Sequence, residues 1–281
     1  MKNMNKPHID KLFYKIITKD NVDYENAPAV SLENGKFKMV TSNNEVTFEM
    51  KRHFSSEQDA RIATDEFLNK WEIIIGLEND PDDIRFKFDR SEVVDLEPNQ
   101  NENNVKSSVS VCEHVHCVEH VTVHMSRHKY PDPPDQFSIS PDVETMYLGY
   151  KAYREGRDTL LSMAYLLLTV VQSKSATRRE AAKKLRVEKD ILDTLGELCS
   201  TKGDEREARK APRNGVFIPL EHKEREWVLA ACKLLIKRCG KFEFCGTENL
   251  SQLKMDNLPL LSSSTQPLNS ADPKSRQKTL G

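Results

Sequence analysis

Cys112, His114, His116, His120, His124 and His128 all fall at even positions within seventeen residues. In an extended strand successive side chains point to opposite faces, so this spacing predicts one face carrying the thiol and the imidazoles. Val109, Val111, Val115, Cys117, Val121, Val123 and Met125 then form an apolar face opposite. Alternate residues on a strand stand about 6.5 Å apart, close enough for two imidazoles to share a metal if a neighbouring strand supplies a third ligand. Cys112, His114 and His116 are the best such set. A single strand, however, presents its side chains in a line rather than around a point. The same row therefore fits a solvated sheet face, or an interface that responds to pH as imidazoles titrate near pH ~6.5. Glu113 and Glu119, on the apolar side, mark a strand end or an exposed edge.

A second chemistry is available further along. Arg206, Arg209, Lys210 and Arg213 form the one compact basic cluster, diluted by Glu205 and Glu207. Guanidinium groups match phosphate oxygens in pairs, so these four residues are the candidate nucleic-acid contacts. Gly203, Pro212, Gly215 and Pro219 place them on an irregular loop between helices.

The elements that must position these groups read as two halves. Phe37 to Thr41 and Val46 to Phe54 are short apolar runs around Ser42-Asn43-Asn44, the pattern of a hairpin. Ser55 to Asp59 supplies a cap and acids. Ala60, Ala63, Phe67, Trp71 and Ile74 then recur at helical spacing, predicting a helix to about Ile75 that Gly76 ends. Ile84 to Phe88 and Val93 to Leu96 alternate as two further strands, Asn99 to Asn104 is a polar loop, and the histidine row follows. An antiparallel sheet with this helix on one face would bury Phe67 and Trp71 against the odd-numbered valines.

Tyr130-Pro131-Asp132-Pro133-Pro134-Asp135 cannot continue a ladder or a helix. Beyond it Ser140-Pro141-Asp142 opens a helix with Val143, Met146, Tyr147 and Tyr150 inward. Leu160 to Val171 is apolar on most sides, the mark of a buried bundle helix, while Gly149 and Gly156 leave one helix or two undecided. Thr177-Arg178-Arg179-Glu180 is a capping box. With Ala182, a turn near Leu185 to Val187, and Leu192 and Leu195, it has helix-turn-helix spacing. Asp190, Asp193 and Glu197 on the second helix would repel DNA phosphates, and Arg186 takes the place usual for glycine. A final helix runs from about Glu221 to Lys237 around Trp227, Val228, Ala231, Leu234 and Leu235. The fold class is thus α+β: an antiparallel sheet domain with one packed helix over residues 1–129, a Pro-rich linker over 130–140, a helical bundle over 141–246, and a disordered tail over 247–281.

Composition narrows the functions. The 281 residues carry a formal net charge of −2, which argues against a wholesale nucleic-acid or membrane binder and leaves any basic site local. The first residues lack the apolar core of a signal peptide, and the apolar run of Leu160 to Val171 is too short to cross a bilayer. Six scattered cysteines form no CxxC pair, the usage of reduced thiols in the cytoplasm. No phosphate-cradling glycine loop, GxSxG, HExxH or GxGxxG is present, and no cofactor is expected.

Tyr150 to Arg157, Ala208-Arg209-Lys210-Ala211, and Pro219-Leu220 followed by the Trp227 helix resemble uncharacterised bacterial proteins whose C-terminal part is similar to the HEPN family of helical domains. That resemblance covers about a third of the chain. It implies a helical module that binds RNA or a partner protein in a defence or stress setting, possible pairing of two copies through the apolar helix, and no membrane. Active HEPN members carry an arginine, a polar residue, then a histidine after four to six intervening positions. Here Arg213-Asn214 is followed by His222 after eight, with Pro219 among them. Binding is therefore the first expectation, and a metal-independent ribonuclease using Arg213 and His222 the alternative.

Overall fold

The computed structural model describes residues 6–19, 22–24, 26–97, 107–108, 125–208 and 215–261, with side chains left out at 23, 107, 108, 125 and 126. The fold is α+β, an antiparallel sheet with one packed helix leading into a helical bundle. Its centre is a strand that the sequence pattern does not announce, β1 (Pro7–Thr18), flanked by β5 (Glu45–Met50) and β6 (Ile84–Asp95). β4 (Phe37–Ser42) and β3 (Val30–Glu33) extend the sheet beyond β5, and the two-residue β7 (Ser107–Ser108) lies beyond β6. A separate parallel pair joins β2 (Val22–Asp23) to β8 (Met125–Ser126).

Two bulges explain why β1 and β6 are hard to read. Opposite Ile9 and Lys11 of β1 stand Val93 and Glu92, so Asp10 has no partner; opposite Phe13 and Tyr14 stand Arg90 and Phe88, so Asp89 has none. Each extra residue flips the side-chain parity of its strand. Ile9 and then Leu12, Tyr14 and Ile16 consequently enter one core, while β6 turns Ile84, Phe86 and Phe88 inward and then Ser91 and Val93. The two short strands expected at 84–88 and 93–96 are one strand with a parity switch.

The hairpin at 37–50 forms as expected, with Asn43 and Asn44 at φ 50° and 57° supplying the left-handed turn. α1 (Glu57–Glu78) starts at Ser56, whose Oγ accepts the Asp59 amide. Gly76 does not end it. The helix runs on to Glu78, and Gly76 is the residue that admits Tyr147, whose hydroxyl oxygen lies 2.2 Å from where a Cβ would stand. Trp71 stacks on Phe86 with centroids 5.0 Å apart, and Phe67 meets Phe37 and Phe48 edge-on, so their described partners are on β4, β5 and β6. The histidine row and its valines, 109–124, lie outside the described residues.

The segment 130–140 is irregular, as its prolines require, but both ends are anchored. Tyr130 stacks on Tyr24 at 5.0 Å and accepts the Asn44 amide at 3.1 Å, while Phe137 enters the helical core and the Ser138 amide donates to the Gly240 carbonyl at 3.0 Å. Five helices build that core: α2 (Pro141–Arg154), α3 (Leu160–Gln172), α4 (Arg178–Leu185), α5 (Lys189–Thr201) and α6 (His222–Cys245). Gly156, at φ 72°, closes the turn that makes α2 and α3 two helices. Ser140 and Thr177 cap α2 and α4 as predicted.

The chain from 247 to 261 departs from the expected disorder. Leu250, Leu253 and Leu258 are buried, and the segment lies along the turn between α4 and α5. The Leu253 amide donates to the Arg186 carbonyl and the Glu188 amide to the Leu253 carbonyl, each at 2.8 Å. Short apolar residues in a polar sequence suffice here because the turn offers unpaired backbone groups to complete.

The halves share α1. Ala60, Leu68, Trp71 and Ile75 enter the sheet core, whereas Ile73 and Leu77 enter the bundle core. Glu78, Asp80 and Asp82 then pair with Lys237, Arg154 and Lys151 across the seam.

Candidate functional site

The loop from Gly203 to Ile218 leaves α5 and returns to α6 through a single bridge, with the Gly203 amide donating to the Ile218 carbonyl at 2.8 Å. Gly203 adopts φ 127°, and a Cβ there would stand 2.7 Å from the Ala208 backbone, so the pinch requires glycine. Of the acids near the pinch, Asp204 and Glu207 are engaged, while Glu205 is exposed. Asp204 Oδ1 accepts the Arg206 and Glu207 amides at 2.9 Å each, and these two bonds hold its carboxyl below the usual aspartate range. Glu207 accepts both arms of Arg225, at 2.9 and 2.6 Å, a bidentate pair that raises the guanidinium's affinity for its proton. Lys202 pairs with Glu224 at 3.0 Å, and the Glu221 amide donates to Glu224 at 2.8 Å in a capping box opening α6.

Of the four expected basic contacts, Arg206 is exposed at the base of the loop; Arg209, Lys210 and Arg213 lie outside the described residues. His222 is the first residue of α6, 85% exposed, with Nδ1 3.5 Å from Glu226. No hydrogen bond or ion pair joins Arg206 to His222 among the described residues.

The α4–α5 turn has helix-turn-helix form, with Arg186 in the left-handed region at φ 52°. Asp193 is tied to Lys189 and to Arg178, the Lys189 bond first in holding its carboxyl low, while Asp190 and Glu197 stay exposed. The outward face of α5 is acidic and unsuited to a DNA groove.

Cys112, His114, His116, His120 and His124 lie outside the described residues, and His128 is exposed on the bend after β8. Among the described residues no group of three or more His, Cys, Asp or Glu side chains could hold a metal ion. No described helix is long and apolar enough to cross a membrane.

A polar cleft at the seam joins groups that no motif connects. Glu72 of α1, Asp82 and Arg85 before and within β6, and Glu144, Tyr147 and Lys151 of α2 line about 250 Å³. Asp82, at φ 66°, is caught between Lys151 at 2.8 Å and Arg85 at 2.6 Å. Burial disfavours its charge, but those two partners prevail and hold its carboxyl below the ordinary range. Glu72 shows the opposite balance. Burial raises its pKa against the Phe86 amide, which donates to Oε1 at 2.7 Å. These residues are 79 positions apart from first to last, so only the fold could bring them together.

No family model, no curated protein and no solved structure matches the chain.

Proposed function

We propose that the protein acts in the cytoplasm by binding RNA through phosphate contacts from the basic residues between Gly203 and Ile218, without cleaving it. The observation that carries this reading is the distribution of charge along the loop. Its acids at 204 and 207 are taken up at the base, by backbone amides and by Arg225. The sequence that follows, Ala208-Arg209-Lys210-Ala211-Pro212-Arg213-Asn214-Gly215, carries three cations and no carboxylate. A stretch of sequence with cations and no acid among them suits a phosphate backbone, whose condensed counterions are released on binding. The HEPN-like stretches named above favour RNA over DNA.

Fluorescence anisotropy with a labelled single-stranded RNA of about twenty nucleotides tests the proposal. Removing two phosphate contacts by Arg209→Ala with Arg213→Ala should make the slope of log K against log salt shallower by about 1.4. Undetectable binding at 50 mM salt would refute the proposal. RNA shortened by the wild type but spared by His222→Ala would replace it with the ribonuclease reading.

A further inference from the structure

A second cleft, of about 340 Å³, lies on the sheet half between the β3–β4 turn and α1, and its charges do not balance. Three cations line it, Lys36, Arg52 and Lys70, against the single carboxylate of Glu66. That carboxylate is taken. Lys70 pairs with it at 2.6 Å, and this bond first, with Lys36 after it, holds the carboxyl below the usual glutamate range. Among the described residues neither Lys36 nor Arg52 makes an ion pair. Glu33, before the turn, is engaged by Lys51, and Glu49 stands on β5 between Lys11 and Lys38, on the face turned away from α1. Arg52 Nε donates to the Gly35 carbonyl at 3.2 Å, so the guanidinium is tethered to the turn that carries Lys36 while both Nη atoms stay open. Asn34 Oδ1 accepts the Lys36 and Phe37 amides at 2.8 and 3.0 Å, which shapes the turn and leaves Nδ2 as a further donor. Phe37, Ala63 and Phe67 supply an apolar floor.

We infer that this cleft binds a small phosphate monoester that bears an aromatic ring. The phosphate docks against Lys36 and Arg52, and the ring lies on the floor beside Phe67. Three cations less one carboxylate leave a surplus of two positive charges, and a phosphate monoester brings about −1.5 to −2 at pH 7 on a single group. The open end of a guanidinium fork matches two phosphate oxygens, and the lysine adds a point charge. Phe67 is only half-buried. Its ring meets Phe37 edge-on at 5.5 Å, and its exposed side offers a second ring the same kind of contact. A Cβ at Gly35 would meet nothing within 4 Å, so the approach over the turn is open. The volume stands at the low end of the roughly 300–1,000 Å³ of ligand pockets, which suits one small molecule rather than a macromolecular partner. The cleft shares no residue with the 203–218 segment, so either site can fail without the other.

Phenyl phosphate is the probe, added to the intact chain and read by isothermal titration calorimetry. Inorganic phosphate keeps the charge but loses the ring; phenol keeps the ring but loses the charge. Phenyl phosphate should give a saturable heat below 10 mM, with each half-ligand at less than a tenth of its affinity. Lys36→Gln and Arg52→Gln lie at exposed positions and should fold normally, each weakening phenyl phosphate at least tenfold, whereas Lys51→Gln, which removes the cation paired with Glu33 outside the cleft, should leave it within twofold. Uridine 5′-monophosphate and O-phospho-L-tyrosine carry the same two features on different scaffolds, and the one that binds more tightly names the source. The absence of a saturable heat with phenyl phosphate overturns the inference. So does equal binding of inorganic phosphate, or a loss with Lys51→Gln as large as with Arg52→Gln, either of which would reduce the cleft to a general attraction for anions.

Discussion

Replacing Gly240 by alanine tests whether the proline-rich segment is fixed to the bundle. A Cβ at position 240 would stand 1.9, 2.3 and 2.5 Å from three atoms of the Phe137 ring. Because all three belong to one rigid ring, no single-atom adjustment relieves the clash. The ring is also held from behind, since the Ser138 amide donates to the Gly240 carbonyl at 3.0 Å and Gln136 sits at φ 46°. Overpacking of this kind costs about 1–3 kcal/mol, and three sub-contact distances put it at the upper end. Against this, exchanging a mid-helix glycine for alanine returns about 1 kcal/mol of helix propensity. The clash prevails, for a net loss of about 2 kcal/mol, or roughly 4–8 °C in melting temperature for a chain of this size.

The argument is sharpest as a double-mutant cycle followed by urea unfolding. Phe137→Ala alone should cost about 3–5 kcal/mol, since the ring is buried in the bundle core. In that background the clash is gone and only the propensity term remains, so Gly240→Ala changes sign and stabilises by up to about 1 kcal/mol. Gly35→Ala, with nothing within 4 Å of the new methyl, should move the midpoint little. If Gly240→Ala destabilises equally in both backgrounds, Phe137 is not seated against α6 and the reasoning fails.

Three further outcomes follow from groups elsewhere. Burial pushes the Cys239 thiol up to about 12 and raises that of Cys232 as well, whereas Cys245 is half-exposed; peptide mapping after brief iodoacetamide treatment at pH 8 should find Cys245 alkylated well ahead of both. Burial raises the Glu72 pKa, so its contribution to stability is complete below the unfolded value of about 4.3 and is lost as pH rises through the folded one. Thermal scans should therefore show Glu72→Gln gaining on the wild type at pH 8 and level with it near pH 4. Arg238 is buried and donates to the Ser251 carbonyl at 2.9 Å, so ending the chain at Gly246 should lower the melting temperature, and adding Arg238→Met should recover part of that loss; no recovery would deny that an orphaned guanidinium is the cause.

Where local chemistry determined local structure, the sequence was readable. Asn43-Asn44, Ser140-Pro141 and the Thr177 cap each combine a backbone requirement with the residue that meets it, and each formed as expected, although Glu180 reaches back to the Ala176 amide and not to that of Thr177. Reading failed where a single residue changes the period. Asp10 and Asp89 are ordinary polar residues, and nothing in their type marks them as bulges, yet each transfers the rest of its strand to the opposite face. Gly76 misled for a related reason: glycine both stops helices and admits close neighbours, and which role it plays depends on Tyr147, 71 residues away. Of the candidate site residues, Arg206 and His222 could be placed on their loop and helix start, whereas the cleft pairing Asp82 with Lys151 leaves no trace at any short spacing.

The described strands precede the prolines and α2 to α6 follow them, but the cores do not divide there. A composition break shows where regular structure stops; it says nothing of which side chains fill the space beyond. In α1 the step from Ile73 to Leu77 keeps one stripe on the bundle, while Trp71 and Ile75 keep another on the sheet. Burying an isoleucine and a leucine contributes about 1.5–3 kcal/mol each, whereas a partly exposed ion pair such as Lys237 with Glu78 contributes about 0–1. The seam is therefore held chiefly by apolar contact, and the row of acids at 78, 80 and 82 serves mainly to set how the loop before β6 meets α2 and α6. That registration is what brings Glu72, Arg85 and Lys151 to one cleft, so the residue pattern that conceals the domain boundary is also the one that builds the cavity upon it.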